Sequence, residues 1–593
     1  MSAQLSVDPP PRAHLTVPRA GEAAAPPRRA GPALGTSRLL AVGIGAALVL
    51  LTVVPLVLLL VGSFRPDGLP LTPGWTLAHY VDVWGSAYDW WIVLNTLIFA
   101  GSSTFLAVGI ATALSWLLER TDLPGREGFR AMILMPMATP PLLLAIGWAL
   151  VLAPRIGIVT VALGPLIGPI DRWFNIYSMA GAIFVQTLAY VPTSVLMLSP
   201  AVRTLDRALE EAAVVAGASR WQVARRVGLP ILRPALLSVA TILLIVGMLA
   251  FDVPAVIAIP GHVNLMSIEI FRLMTPPSSF PDYGAASAMN AVLFVFLIAA
   301  LVFYRRTIRH APRFAIVSGK GYKPAQARLG AWRGAAAALV LLYLALAVLL
   351  PFVALLWASV VPYFAGFSLE MLHRASFAAY ANLIASPRLR EAMVNSALIA
   401  AVTAVSLVVL SLLLAWIVLR SKLRGAWLID LLSMIPLGIP PLMIGVAMVV
   451  VAFSMRFLAL YGTIWIIALG HVIVFLPIAS RMMQTGLIQI SEELEEAASV
   501  AGATLLQMLR RITVPLMSST IAALTIWILV HSIREFSIAV VLQSGRNSVL
   551  STILYGYWDT GRPERAAALA VLLMTALLAL IAILSLTRRR LEI

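Results

Sequence analysis

Twelve apolar runs, each about as long as a membrane-spanning helix, dominate this 593-residue chain. They lie near residues 39–62, 92–118, 131–153, 178–199, 235–258, 285–304, 335–358, 393–419, 426–453, 462–480, 518–541 and 566–587. A helix needs about 20 apolar residues to cross the hydrocarbon core of a bilayer. Only 12% of the residues are charged, against about 25% in soluble domains. The pattern predicts an all-α polytopic membrane protein and excludes a soluble enzyme, a disordered protein and a solenoid.

The distribution of positive charge predicts the orientation of these spans. If both termini are cytoplasmic, the inner segments hold 31 of the 43 Lys and Arg residues and the outer segments hold 12. Cytoplasmic loops carry such an excess, so the net charge of +17 indicates the membrane rather than nucleic acid. The chain contains no Cys, which excludes disulfides and thiolate metal sites.

The sequence also divides into two similar halves. Pro136, Pro140 and Pro141 recur 300 residues later at Pro436, Pro440 and Pro441, and Asn95 recurs at Asn395. The segment 210–230 recurs at 495–515, an offset of 285, so the loop near 154–177 is longer than its counterpart near 454–461. Six spans in the same order and orientation predict parallel repeats that enclose one central pathway. We expect a cytoplasmic tail at 1–37, repeats at 38–304 and 335–593, and a basic linker at 305–334.

The loop between the fourth and fifth spans is the strongest chemical signal in each half. Its residues are Glu211, Ala212, Ala213 and Gly217, followed by Pro230, and Glu496, Ala497, Ala498 and Gly502, followed by Pro515. Each copy predicts a short amphipathic helix closed by a left-handed glycine. Ser219 and Thr504 then fit the N-cap of a second helix.

These loop helices are better explained by a protein partner than by lipid. A helix lying on the inner leaflet favours Lys and Arg on its polar face. The two predicted helices are instead acidic, with Asp206, Glu210 and Glu211 in one and Glu492, Glu493, Glu495 and Glu496 in the other. We interpret them as docking elements, with a lipid-surface helix as the alternative.

The spacing of Glu-Ala-Ala, Gly and Pro in both loops closely resembles the EAA loop of permease subunits of binding-protein-dependent ABC importers. The resemblance extends from residue 38 to the C-terminus and implies a type I importer permease with twelve transmembrane helices. It further implies that each loop seats in one of two ATP-binding subunits on the cytoplasmic side, and that a periplasmic or lipid-anchored binding protein delivers the solute. It places the chain in a bacterial inner membrane.

The fused two-copy arrangement resembles the iron(III)-type permeases most. FDVPAVIAIPGH at 251–262 and REFSIAVVLQSG at 534–545 look like the signatures of that group. Fused permeases also serve thiamine, phosphonates and other small anions, so the resemblance implies iron(III) with these as alternatives.

Ionisable residues within the apolar runs are candidates for the pathway, because charge at membrane depth is costly. They are Asp252, near the outer end of its run, and Arg534 and Glu535, which as neighbours on a helix would need separate partners. A structural ion pair or a polar hinge between helices is the alternative. Pro140 and Pro440 could form gating kinks or simple packing bends.

His471 and His531 also lie within apolar runs, but we assign no metal ligand and no cofactor to this chain. A lone histidine inside a helix bundle is more often a hydrogen-bonded packing residue, and iron(III) prefers oxygen donors.

The chain lacks a phosphate-binding loop of the form G-x-x-x-x-G-K-[ST], so it cannot hydrolyse ATP by that route. We therefore predict that it is not an enzyme and that its energy comes from separate subunits. An ion-coupled secondary transporter of 6+6 design is a more distant alternative, because such a carrier has no use for two matched docking loops.

Overall fold

The first half of the chain forms six long helical units. A computed structural model of the protein describes residues 34–205, 207–276, 280–308 and 327–591. Residues 1–33 of the predicted tail (1–37), residues 309–326 of the predicted linker (305–334) and Asp206 lie outside the described residues. The units are α1 (Arg38–Gly62), α2 (Ala87–Arg120), α3 (two segments, Arg126–Met137 and Pro141–Leu152), α4 (Met179–Arg203), α5 (Ala224–Met248) and α6 (Tyr283–Ile308).

The second half repeats this order. Its units are α7 (Gly330–Val360), α8 (Pro387–Arg420), α9 (Ala426–Gly438 and Pro441–Ser454), α10 (Ile464–Ile488), α11 (Leu505–Leu516 and Ser518–Arg534) and α12 (Pro563–Leu591). Among the described residues, eight helices are long and apolar enough to cross a membrane, and up to eleven when three bent pairs each count as one span. The shorter apolar helix Tyr283–Phe296 lies where the remaining span is predicted, so the twelve-helix, two-repeat architecture is confirmed.

The third unit of each repeat is sharply bent. The two segments of α3 meet at 97° and those of α9 at 108°. A residue that precedes proline is forced towards extended backbone. Thr139 and Pro140 precede consecutive prolines and have ψ angles of 130° and 135°, and Pro440 has a ψ of 137°. The consecutive prolines therefore end one helical segment and begin the next.

The fifth unit of each repeat differs from the sequence prediction. The prediction of continuous spans at 235–258 and 518–541 is wrong in detail, because α5 ends at Met248 and α11 ends at Arg534. A new short helix then begins in each repeat, Asp252–Ile257 in the first and Ser537–Leu542 in the second. These two short helices pack against the second segments of α3 and α9, respectively. The hydropathy of the sequence does not reveal this break, because the residues on both sides of it are apolar.

Small side chains line the buried side of α2, which packs against α4 and α5. In α2, Ala100, Ala107 and Ala111 are fully buried and lie on the side that faces the helices packed against α2. Helices in membranes associate through such small residues, because lipid supplies no hydrophobic drive between them. The longer loop predicted after α3 in the first repeat is confirmed, and it contains an additional helix, Ile158–Ile167.

The duplication extends to individual hydrogen bonds. Asn95 donates its side-chain amide to the carbonyl oxygen of Asn264 at 3.2 Å. Its counterpart Asn395 donates to the carbonyl oxygen of Ser548 at 3.1 Å. In each case the second helix holds the loop that follows the short helix after the break. The repeats therefore share tertiary contacts as well as sequence.

The first helix of each repeat packs against the other repeat. The segment Val54–Gly62 of α1 contacts Pro441–Ser454, and Leu350–Val360 of α7 contacts Pro141–Leu152. At the second of these contacts Gly147 lies directly against Pro351, where a Cβ would come within 2.6 Å of the proline Cβ. The two repeats are thus interlocked rather than side by side.

The start of the second repeat is attached to the loop between α2 and α3. Thr121 and Ala327 form an isolated parallel β-bridge, and Asp122 accepts hydrogen bonds from the Leu329 backbone and the Arg333 guanidinium. The hydrogen bond from Arg333 is the main cause that lowers the pKa of Asp122 below its usual value. The segment that begins at residue 327 is therefore bound to the first repeat.

Candidate functional site

Both loop helices form as the sequence predicts. They span Arg207–Val215 and Glu492–Val500. Gly217 and Gly502 follow with φ angles of 87° and 84°, in the left-handed region that favours glycine.

The predicted N-caps of the next helix are also confirmed. Ser219 accepts a hydrogen bond from the Gln222 backbone while the Gln222 side chain accepts one from the Ser219 backbone. Thr504 and Gln507 exchange the same pair of bonds. Each loop is therefore a helix–turn–helix element whose turn follows from backbone preferences that the sequence specifies.

The motif residues lie on the exposed side of these elements. Glu211, Ala212, Glu496, Ala497 and both motif glycines are exposed, whereas Ala213 and Ala498 are half-buried. Val215 and Val500, 285 residues apart, are 88% and 90% exposed. Each loop helix thus presents a valine beside small alanines and an acidic edge, a combination suited to docking against a protein.

A buried ion pair that the sequence interpretation missed anchors the second loop helix. Arg420, at the end of α8, lies 3.4 Å from Glu495 and donates to Glu492 at 2.9 Å. It also donates to the carbonyl oxygen of Ile490 at 2.6 Å. Glu495 is buried and accepts a hydrogen bond, at 3.0 Å, from Thr513. Glu495 therefore fixes the helix while Glu496 is left exposed.

The first repeat has a matching anchor. Arg120 ends α2 as Arg420 ends α8, and it donates to the carbonyl oxygen of Leu205 at 2.8 Å. Leu205 and Ile490 are 285 residues apart, the same offset as the loop motif. The matched positions Arg120 and Arg420 are visible in the sequence at an offset of 300, and this signal could have identified them.

The predicted pathway residues meet at the breaks after α5 and α11. Asp252 is half-buried and accepts a hydrogen bond at 3.0 Å from Ser537 of the other repeat. Beside them Phe251 and Phe536, again 285 residues apart, stack with ring centroids 5.6 Å apart and planes 16° apart. The two breaks therefore contact one another through equivalent positions, as expected around an axis that relates parallel repeats.

Arg534 and Glu535 have separate partners, as predicted, although they do not share a helix. Arg534 ends α11 and its guanidinium donates to the carbonyl oxygen of Met137, at the bend of α3 in the other repeat. Glu535 is extended, and its carboxylate accepts hydrogen bonds from the backbone of Ile538 and Ala539. Arg534 thus ties the repeats together and Glu535 caps the short helix after the break.

The two histidines have structural partners. His471 Nδ1 lies 2.8 Å from the Ser532 hydroxyl, and its Nε2 lies 3.3 Å from the Glu535 carboxylate. His531 Nδ1 lies 2.8 Å from the Trp527 carbonyl oxygen, and its ring stacks on that tryptophan. Within the described ranges, no three His, Asp or Glu side chains are grouped as a metal site.

Pro140 and Pro440 each cap the second segment of a bent unit. They cause the bends of α3 and α9, as described above. A gating role for these two bends stays a prediction.

Comparison with known proteins extends these observations. The family described as binding-protein-dependent transport system inner membrane component matches residues 106–309 and again 408–589. The ferric transport system permease protein FbpB of Actinobacillus pleuropneumoniae is 25% identical over 89% of this chain and 75% of its own length. The putative ferric transport system permease protein FbpB 1 of Haemophilus influenzae is 26% identical over 76% of this chain and 70% of its own.

A solved bacterial ABC transporter for import of the acidic polysaccharide alginate also matches, with a TM-score of 0.36 and 19% identity over 47% of this chain and 96% of its own. The two family matches cover most of both repeats and coincide with the duplication described above. The chain belongs to the binding-protein-dependent transport system inner membrane component family, and it is a fused two-copy ABC importer permease, a multi-pass inner-membrane subunit rather than an enzyme.

Proposed function

We propose that this permease imports iron(III) delivered by an external binding protein, with ATP hydrolysed by two separate subunits bound to its loop helices. The substrate proposal is supported by the chain's similarity to ferric transport system permeases. Thiamine, phosphonate or another small anion is the competing substrate class, and the experiment below separates them.

The observation that carries the ATPase proposal is the matched pair of exposed loop helices. Both expose the glutamate, the first alanine and the glycine of the motif. Arg120 and Arg420 hold these elements to the ends of α2 and α8. Val215 and Val500 are 88% and 90% exposed, so each helix offers apolar surface that a docked subunit would bury. Two equivalent docking elements on one chain fit two copies of one partner, with both chain termini on the same, cytoplasmic side.

The geometry supports a specific route for coupling. Arg420 ties the second loop helix to α8, and α8 packs against α10 and α11. The break after α11 in turn contacts the break after α5 through Ser537 and Asp252. When ATP draws the two ATPase subunits together, the loop helices move with them, and the two breaks separate to open the pathway.

The test is transport by the complete complex in proteoliposomes. The chain is purified from its native membrane with whatever ATP-binding subunits accompany it, and radiolabelled iron(III) is supplied on the binding protein. We expect two ATP-binding subunits per chain and ATP-dependent iron(III) uptake. Uptake of thiamine or phosphonate but not iron(III) would overturn the substrate proposal, and ATP-independent uptake driven by a proton gradient would overturn the importer mechanism.

Variants of the loop helices test the docking proposal separately. Glu496→Lys reverses a charge that is 67% exposed, and Gly217→Pro cannot adopt the positive φ at that position. Both should uncouple ATP hydrolysis from transport while the chain still inserts. Glu127→Lys reverses an equally exposed carboxylate (68%) outside the loop helices and serves as the control. Wild-type coupling in Glu496→Lys and Gly217→Pro would contradict the docking assignment.

A further inference from the structure

The two loop helices rest on different supports, although their motif residues match. The second residue after the anchoring arginine is Asp122 in the first repeat and Lys422 in the second, at the offset of 300. Lys422 lies 4.0 Å from the motif glutamate Glu496, on the loop helix of its own repeat. Asp122 instead accepts hydrogen bonds from Leu329 and Arg333, which begin the second repeat. The first repeat therefore uses this position for a contact with the other repeat.

Arg120 connects this contact with the first loop helix. Its backbone carbonyl oxygen accepts a hydrogen bond from the Ala327 backbone at 2.8 Å, and the Ala327 carbonyl oxygen accepts one from the Asp122 backbone at 3.2 Å. The guanidinium of the same arginine donates to the carbonyl oxygen of Leu205 at 2.8 Å, two residues before the loop helix begins. Arg120 and Leu205 are 3% and 2% exposed, so solvent competes little for the bond between them. One buried arginine thus joins the start of the second repeat to the first loop helix.

The segment that holds Arg120 from the other repeat is residues 327–333, the strut, which ends in the first turn of α7. Leu329 is half-buried and packs against the hydrophobic core. The segment Arg333–Leu344 of α7 contacts the first segment of α3, and the later segment Leu350–Val360 contacts the second. α7 therefore touches α3 on both sides of its 97° bend, so a displacement of the strut reaches both sides.

The strut is held firmly enough to transmit a displacement. Its contacts with Arg120 and Asp122 comprise four hydrogen bonds, three of which involve backbone groups of the strut. A backbone group has no rotamers of its own to order, so such bonds hold position better than an exposed ion pair alone. Between the described residues of the second repeat, no β-bridge takes the place of the one at Thr121 and Ala327.

We propose that the strut passes the motion of the first loop helix to α7, so that the coupling route of the first repeat runs through the other repeat. When a docked ATP-binding subunit moves the first loop helix, Arg120 moves with it, and the backbone bonds to Ala327 carry the displacement into α7. The second loop helix has its own route through Arg420 and α8. This inference rests on the proposed docking of ATP-binding subunits and adds how the first of the two loops is coupled.

The test combines transport by the complete complex in proteoliposomes with hydrogen exchange of the solubilised chain. Ala327→Pro removes the backbone N–H that donates to Arg120. Asp122→Ala removes the side-chain acceptor that holds the strut. Arg328→Gln removes an exposed charge of the strut that none of these hydrogen bonds uses, and it is the matched control.

Both strut variants should affect the first loop helix and spare the second. Hydrogen exchange in residues 207–215 should become about fivefold faster, the change expected for loss of roughly one net hydrogen bond, while exchange in 492–500 stays unchanged. The ATP hydrolysed per iron(III) imported should rise several-fold, with both ATP-binding subunits still bound, and Arg328→Gln should match wild type. Wild-type coupling in both strut variants, or equal acceleration of exchange in both loop helices, overturns the strut, because mere attachment or general destabilisation would explain it.

A disulfide provides the opposite test, because the chain contains no Cys of its own. The double variant Thr121→Cys/Ala327→Cys places two thiols at the paired positions of the β-bridge, where oxidation can join them. A strut that stays closed while it transmits motion imports equally well when oxidised and when reduced. Loss of uptake on oxidation that a reductant reverses overturns the strut, because the contact must then open during the cycle. A wild-type complex without ATP-dependent uptake contradicts the proposed function itself, which is a different result.

Discussion

The anchor of the second loop helix yields the most quantitative prediction. Arg420→Met removes the positive partner of Glu495, and the two side chains are only 11% and 7% exposed, so solvent screens the pair little. Loss of one partner of a buried ion pair costs about 3–5 kcal/mol, because the other charge stays buried and uncompensated. The hydrogen bond from Arg420 to the carbonyl oxygen of Ile490 is lost as well.

This cost falls on a local element rather than on the whole fold. The loop helix Glu492–Val500 contacts the protein mainly through the segment 505–513 that follows it and through Arg420. A change of about 3 kcal/mol corresponds to roughly a 100-fold change in the equilibrium for opening this helix. We therefore expect amide hydrogen exchange in residues 492–500 to accelerate by about that factor while exchange in α8 and α10 is unchanged.

The assay is hydrogen exchange followed by mass spectrometry on the detergent-solubilised chain, with coupling of ATP hydrolysis to uptake measured in parallel. Arg424 is an exposed arginine in the turn that follows α8. Arg424→Met is the matched control and should leave hydrogen exchange in residues 492–500 unchanged. The double variant Arg420→Met/Glu495→Met removes both charges and should recover part of the protection. Exchange in 492–500 that is the same in Arg420→Met and in wild type would refute the anchoring argument.

Two further predictions concern packing and pH. Gly147→Leu should lower the thermal midpoint, at a cost of about 1–3 kcal/mol, because even a Cβ there would lie 2.6 Å from the Cβ of Pro351. The control Gly101→Leu places its side chain in open space and should leave the thermal midpoint unchanged. Equal midpoints for the two variants would contradict the close contact between Gly147 and Pro351. The bond from Arg333 depresses the pKa of Asp122, so its stabilising contribution is present above the ordinary pKa of an aspartate and is lost as pH falls through the lowered value. The difference in thermal midpoint between wild type and Asp122→Asn should therefore close in acid, and a difference that stays constant with pH would count against the pairing.

Local sequence was sufficient for the elements whose structure depends on neighbouring residues. Hydropathy located the twelve units, since span length is a property of consecutive apolar residues. The turn of each loop followed from Gly217 and Gly502 and from the caps Ser219 and Thr504, because left-handed backbone and N-capping are local preferences. The duplication was evident because both halves retain the same motif at constant spacing.

Only the tertiary structure decided how the repeats meet. The interlocking of α1 and α7 with the opposite repeat depends on contacts such as Gly147 with Pro351, which lie about 200 residues apart. The ends of α5 and α11 could not be read from hydropathy, since apolar residues continue past Met248 and Arg534. The partners of Asp252 and Arg534 lie in the other repeat, at Ser537 and Met137. A sequence determines its local preferences directly, but long-range pairs are selected by the packing of the whole bundle, which decides which buried polar groups meet.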